Sequence, residues 1–414
     1  RTPSSAASDV YKRQGVVATL HDFSNRDLKD LERDLKKFSK DRKMELILPC
    51  LYSELEGSAL PNIVSEISKT NYLNHIIIGL DRANEEQAMK AWNFFKKLNC
   101  PFTILWNDGP NLLKLDKELK NYNLAPQELG KGRNVWYCLG MAIARGEARS
   151  IAFHDCDILT FDRRLLAKLF YPVVNPLFNF EFCKGYYPRV AEGKMNGRVS
   201  RLLVTPLLTA MEKTVGHNDY LDYMKAFKYP LAGEFSFRRN LMADMRIPCD
   251  WGIEIGILSE MYRNQASNRI CQVDLADTYD HKHQDLSIDD QTKGLSKMSI
   301  DIIKTLIKKL ATQGNSFSLE TFRSIKATYY RTALDMIDIY RSDALMNGLK
   351  YDSHMEEKAV ELFALNIMKA GESFFENPMD TPFIPTWSRV NSAIPNFMNR
   401  LKQKVELDNE KYKS

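Results

Sequence analysis

The chain lacks what would place it in a membrane, a disulfide scaffold or a nucleic-acid-coating role. No uninterrupted apolar stretch approaches the ~18 residues needed to span a bilayer; the longest are short runs such as Ile76–Ile78, so no membrane partner is expected. Charge of one sign is barely in excess. Lys plus Arg number 58 against 53 for Asp plus Glu, a formal +5 over 414 residues, too little for a whole-surface nucleic-acid binder. Any basic patch must therefore be local. The seven cysteines, from Cys50 to Cys271, are scattered and allow neither a CxxC redox pair nor a zinc ribbon. A reducing cytoplasm fits that usage best. Internal repeats, low-complexity tracts and Walker A, HExxH or GxSxG patterns are missing. The nearest approach to a dinucleotide fingerprint, Gly130-Lys131-Gly132, has no third glycine.

What is present is ordinary globular composition, 44% hydrophobic and 27% charged, in a length that suggests two to three domains, or one large α/β domain with an appendage. Residues 1–14 lack periodicity and an apolar core, so they are no signal peptide; they read as a non-native, adapter-derived segment, with the native start missing. Residues 15–43 read as an N-terminal surface helix with Leu28, Leu31, Leu35 and Phe38 at helical spacing. Strand-like runs at Met44–Leu48, His75–Leu80, Phe102–Trp106 and Ser150–His154 then alternate with helical patterns. That alternation predicts an α/β fold with a mostly parallel sheet covered by helices on both faces, over residues 44–286. From 287 to 414 the pattern becomes that of long helices. Their stripes are Ile300, Ile303, Leu306/Ile307 and Leu310; Phe322, Ile325, Tyr329, Ala333, Ile337 and Tyr340; and Val360, Phe363, Ile367, Ala370 and Phe374. Ser353-His354-Met355-Glu356 reads as a capping box opening the third. These faces are expected to pack on the catalytic core or across a homodimer.

Ligands of open parallel sheets bind beyond the carboxyl ends of the strands. Those ends carry Pro49–Glu54, Asp81-Arg82, Asn107-Asp108 and Asp155-Cys156-Asp157, an acidic edge suited to a metal or to sugar hydroxyls. Asp155 and Asp157, two apart where a strand runs out, aim the same way and could share a hard cation with substrate phosphates; an acidic strand-end turn is the plainer alternative. His281 and His283 could each supply a further ligand or be surface histidines. Lys184, Arg189, Lys194, Arg198 and Arg201 against Glu192 make a local excess of 5 − 1 = 4. Gly197-Arg198-Val199-Ser200, leading into a helix, could bind a small anion or form a solvated loop. Glu254 and Glu234 stand beside apolar residues, as sugar-binding carboxylates or as structural ion pairs.

These motifs, in this order, resemble the retaining glucosyl-3-phosphoglycerate synthases, metal-dependent glycosyltransferases of the GT-A fold. The likeness runs from about Met44 to Leu286 through Gly130-Lys131-Gly132, Asp155-Cys156-Asp157, Gly197-Arg198-Val199-Ser200, Pro230-Leu231-Ala232-Gly233-Glu234 and Trp251-Gly252-Ile253-Glu254-Ile255-Gly256. It implies transfer of glucose from UDP-glucose to 3-phosphoglycerate with Mg2+ or Mn2+. Pro49, Cys50, Leu51, Tyr52, Ser53 and Glu54 would hold the uridine side of the donor. Asp81, Lys131, Asp155, Cys156, Leu231, Ala232, Gly233 and Glu234 would complete the donor site. Asp157 and His281 would hold the metal. Gly197, Arg198, Val199, Ser200 and His283 would bind the acceptor, and Glu254, with Asp157, would serve the transfer itself. The first loop, Pro49-Cys50-Leu51-Tyr52-Ser53-Glu54, differs from the usual Pro-Ala-x-Asn-Glu-Glu, and the tail is longer than is usual. A GDP-sugar donor, a glycerate acceptor, a nucleotidyltransferase and a nucleotide-sugar-binding protein without catalysis are the other readings.

Overall fold

The computed structural model describes residues 16–281, 294–378 and 383–412. The expected non-native segment 1–14, His283 and the expected boundary at 286/287 lie outside the described residues. The chain opens with strand β1 (Ala18–Leu20) and helix α1 (Leu28–Phe38), then alternates: β2 (Met44–Leu51), α2 (Ala59–Ser68), β3 (Leu73–Asp81), α3 (Glu85–Phe95), β4 (Phe102–Trp106), α4 (Pro110–Asn121), α5 (Lys131–Arg145) and β5 (Ser150–Phe153). After α6 (Arg163–Val174) come β6 (Phe182–Tyr186) and a small hairpin, β7 (Val190–Ala191) with β8 (Lys194–Met195). A π-helical turn at Val199–Val204 then leads directly into α7 (Thr205–Val215). Helix α8 (Asp219–Ala226), β9 (Phe235–Arg238), α9 (Ile253–Asn264) and β10 (Ile270–Asp274) follow.

The eight-stranded sheet has the order β1-β10-β6-β9-β5-β2-β3-β4. Every pairing is parallel except those of β9, which runs antiparallel between β5 and β6. Ile76, Ile77 and Ile78 are all buried, because helices cover both faces of a parallel sheet and leave no alternation of polar and apolar positions. The segment expected as an N-terminal helix alone also supplies β1, paired in register with β10 from Ala18↔Cys271 to Leu20↔Val273. The run Pro49–Glu54, expected as a polar loop, is instead the end of β2 followed by a 3-10 turn at Tyr52–Glu56.

The tail comprises α10 (Gly294–Ala311), α11 (Leu319–Met346), α12 (Ser353–Glu376), α13 (Trp387–Ala393) and α14 (Phe397–Glu410). It packs on the core. Ile303, Leu306, Phe322, Ile325, Tyr329, Ile337, Phe363 and Ile367 belong to the same buried cluster as Leu202, Leu203 and Leu207 of the α7 region, and the Tyr329 hydroxyl donates to the Leu202 carbonyl at 2.7 Å. The expected capping box at Ser353 is corrected. Asp352 is the N-cap, accepting from the Met355 N–H at 3.1 Å, and Glu356 turns away from the helix end.

Candidate active site

The carboxyl ends of β2, β3 and β5 meet the first turn of α5. Lys131, the first residue of that helix, sends its ammonium to Asp155 at 2.7 Å and to Glu254, near the start of α9, at 3.0 Å. Burial alone would lower its pKa, but the two carboxylates outweigh that and hold it above the ordinary lysine value. Asp155 answers in kind: burial works to raise its pKa, and Lys131 overcomes this and lowers it. Gly233 lets Asp155 lie flat against the backbone, because a Cβ there would fall 2.2 Å from Asp155 Oδ2.

Asp157 stands differently. Burial first, and the neighbouring Asp155 charge second, push its carboxyl up to about 7. His281 Nδ1 lies 3.7 Å from Asp157 Oδ2. The proximity is built by backbone pairing: Ile158 and His281 form an antiparallel bridge, and the Leu159 N–H donates to the Asp280 carbonyl at 2.9 Å. Arg189 donates to the other ring nitrogen of His281, and to the Tyr229 hydroxyl at 3.4 Å. Gly197, at φ +77°, faces both; a Cβ there would lie 3.2 Å from Arg189 and 3.3 Å from the Tyr229 hydroxyl. Two lines of contacts thus end on the Asp155-Cys156-Asp157 turn, one from Glu254 and Lys131 to Asp155, the other from Gly197 and Arg189 through His281 to Asp157.

Several predicted residues are placed in roles the sequence did not show. Glu234 is fully buried, its carboxylate closed off by the hydroxyls of Tyr187 at 2.6 Å and Tyr279 at 2.7 Å. Burial, then the Asp155 charge, raise its pKa. It supports the site from beneath. Ala232 is buried and its carbonyl accepts from the Lys184 ammonium, while Leu231 is half-buried. Lys184 itself sits on β6, buried, its pKa lowered to about 8 by burial, and so is no part of a surface loop. Arg198 and Arg201 are both paired with Glu356. Lys184, Arg189 and Arg201 of the basic run are therefore built into the fold, while Arg198 is half-buried and Lys194 is exposed.

On the other flank, Cys50 and Cys156 are buried and Leu51 pairs in register with Asp81. Asp81 is pushed up to about 6 by burial. Asn134 ties this end together, donating to the Gly79 carbonyl at 2.7 Å and to Asp81 at 3.2 Å, and Arg133 donates to the Asn107 carbonyl at 3.2 Å. Arg133, Asn134, Tyr229, Tyr187 and Tyr279 were not singled out from sequence, and Arg189 stood out only as one charge of the basic run. Only the first pair carried a signal, by following Gly130-Lys131-Gly132 at a helix start.

No family model matches the chain. The glucosyl-3-phosphoglycerate synthase of Persephonella marina is 44% identical over 397 residues, 96% of this chain and 98% of its own. The chain belongs to the glucosyl-3-phosphoglycerate synthase family. It is accordingly a glycosyltransferase. Two solved structures share its fold. The mannosyl-3-phosphoglycerate synthase of Rubrobacter xylanophilus superposes with a TM-score of 0.54 at 20% identity, covering 74% of this chain and 84% of that one. The Mycobacterium tuberculosis glucosyl-3-phosphoglycerate synthase, in complex with Mn2+, UDP-glucose and phosphoglyceric acid, superposes with 0.53 at 19% identity, covering 71% and 88%. The expected GT-A sheet with an all-helical C-terminal extension is thus the fold of this family member.

Proposed function

We propose that the protein transfers glucose from UDP-glucose to 3-phosphoglycerate with retention at the anomeric carbon. The near full-length identity to a named glucosyl-3-phosphoglycerate synthase carries this reading. The site's geometry supports it: acidic groups ordered at the strand ends on one side and a turn bearing Arg198 on the other. Pro49–Glu54 and Asp81 would take the nucleotide, Asp155 with Lys131 the donor's sugar side, and Gly197–Ser200 the anionic acceptor. Glu254, fixed by Lys131, would receive a hydroxyl of the transferred sugar or of the acceptor.

Asp157 and His281 would hold Mg2+ or Mn2+. The donor set fits a hard cation: a carboxylate whose ionisation burial and Asp155 oppose, beside an imidazole 3.7 Å away. When bound, the cation would offset the negative charge that grows on the departing diphosphate. Around it this chain's residues would do the positioning, with the Ile158–His281 bridge setting the imidazole beside Asp157 and the hydroxyls of Tyr187 and Tyr279 holding Glu234.

Purified protein given UDP-glucose, Mg2+ and 3-phosphoglycerate should release UDP, and EDTA should abolish the release. Turnover with glycerate, or with a GDP-linked mannose or glucose, but not with this pair would overturn the substrate reading and leave the family unchanged.

A further inference from the structure

The acceptor turn is not held by the catalytic core alone. Glu356, in the first turn of α12, reaches it from the C-terminal tail. Its Oε1 accepts from Arg198 Nε at 2.8 Å and its Oε2 from Arg201 Nη2 at 2.9 Å. The Glu356 side chain is 4% exposed, Arg201 10% and Arg198 35%. The carboxylate is not needed at its own helix end, because Asp352 caps that helix. One negative charge faces two guanidiniums, which leaves one positive charge uncompensated at the rim.

The two arginines are used differently. Arg201 is spent on the fold: it donates to the Asn196 carbonyl at 2.8 Å and the Met195 carbonyl at 3.2 Å, and its guanidinium lies 4.9 Å over the Tyr340 ring. Arg198 is gripped at Nε alone among the described residues. Its two terminal nitrogens form the free edge of a planar fork, the geometry that takes a phosphate or carboxylate in bidentate fashion. Without Glu356 the fork would keep its charge and lose its direction. The same tail tethers the neighbouring hairpin, where the Lys350 N–H donates to the Gly193 carbonyl at 2.8 Å.

We infer that Glu356 is a positioning residue of the acceptor site, contributed by the C-terminal helices, which aims Arg198 at the anionic end of the acceptor. The inference rests on the proposed acceptor being an anion held by the Gly197–Ser200 turn. It gives the tail a part in acceptor recognition besides its packing.

The test begins with wild-type UDP release from UDP-glucose with 3-phosphoglycerate; no turnover with that acceptor overturns the acceptor reading and the inference with it. Given turnover, Glu356→Gln should raise the 3-phosphoglycerate KM about tenfold or more, with the UDP-glucose KM and kcat within about twofold. In an Arg198→Ala background the same change should add less than twofold, because Glu356 acts through Arg198. Independent, multiplying effects overturn the inference, as does an unchanged acceptor KM, while the substrate reading survives. A fall in acceptor KM would mean that Glu356 sequesters Arg198, and also overturns it. If Glu356→Gln does not fold, Glu356→Asp is put through the same cycle and judged by the same outcomes.

Discussion

At the scale of single residues, the site is a set of carboxylates treated unequally by their neighbours. Asp155 has Lys131, Asp157 has none so close, and Asp81 is buried with only amide and distant guanidinium partners. Asp81 therefore keeps its proton longer in the folded chain, with a pKa of about 6 against 3.8 when unfolded. Between those values the native state holds a proton that the unfolded chain has released. The stability this confers is full below pH about 4 and is lost as pH rises through 6. Asp81→Asn removes the titration, so its stability relative to wild type should climb from pH 4 to 6.5 by up to about 3 kcal/mol, at about 1.4 kcal/mol per pKa unit. Urea unfolding of both proteins across that range checks it; a difference that does not vary with pH would show the carboxyl ionised throughout. That Lys131, Asp155, Asp157 and Glu254 would gather was legible in the sequence, because each stands at or next to a strand or helix end, where an open α/β sheet binds its ligands; His281 lies beyond the end of β10 and stood out only as a histidine. The contacts of Arg189, of Glu234's tyrosines and of Glu356 were not legible. Their partners lie 45 to 158 residues away, and no local spacing encodes such pairings.

At the scale of elements, the strands that are buried on both faces declared themselves by unbroken apolar runs, whereas β1 did not. It is three residues long and owes its existence to β10, some 250 positions later. The Ser353 box failed for a related reason. Asp352 is an equally good cap one residue earlier, and the glutamate that should have closed the box found two arginines instead. The free edge of β4 shows how the tail completes an element. Asn409 of α14 accepts from the Ile104 N–H at 2.8 Å and donates to the Ile104 carbonyl at 2.7 Å, standing in for a strand residue at a buried edge. Asn409→Ala would leave both backbone groups unpaired, at a cost of about 1–3 kcal/mol. Calorimetry should show a lower Tm, while kcat and both KM values at 25 °C stay near wild type. The polar contacts of α14 go to Ile104, Asn111 and Glu118, none of them a candidate site residue. Unchanged Tm would mean that water satisfies this edge as well as the amide does.

At the scale of the whole molecule, the tail was legible as helices whose apolar faces would meet either the core or a second copy. Its stripes gave periodicity and no address. The structure supplies one: α10, α11 and α12 cover the π-turn and α7, and α13 is pinned to α5 by two tryptophans stacked at 3.8 Å. Each indole of that pair donates across the junction, Trp387 to the Trp136 carbonyl at 2.9 Å and Trp136 to the Pro385 carbonyl at 2.8 Å. Even Gly140 is shaped by the tail, since a Cβ there would fall 2.3 Å from the Trp387 ring. The small excess of positive charge follows the same logic: it collects in the 184–201 run, where Glu356 of the tail offsets part of it. A core that ended at residue 293 would bare Leu202, Leu203, Leu207 and Trp136 together, an apolar patch larger than soluble monomers expose. Such a chain should lack a cooperative thermal transition and bind a hydrophobic dye such as ANS. A truncated protein that unfolds cooperatively near the wild-type Tm would show that residues 44–286 fold as a domain of their own, with the tail added to a finished core.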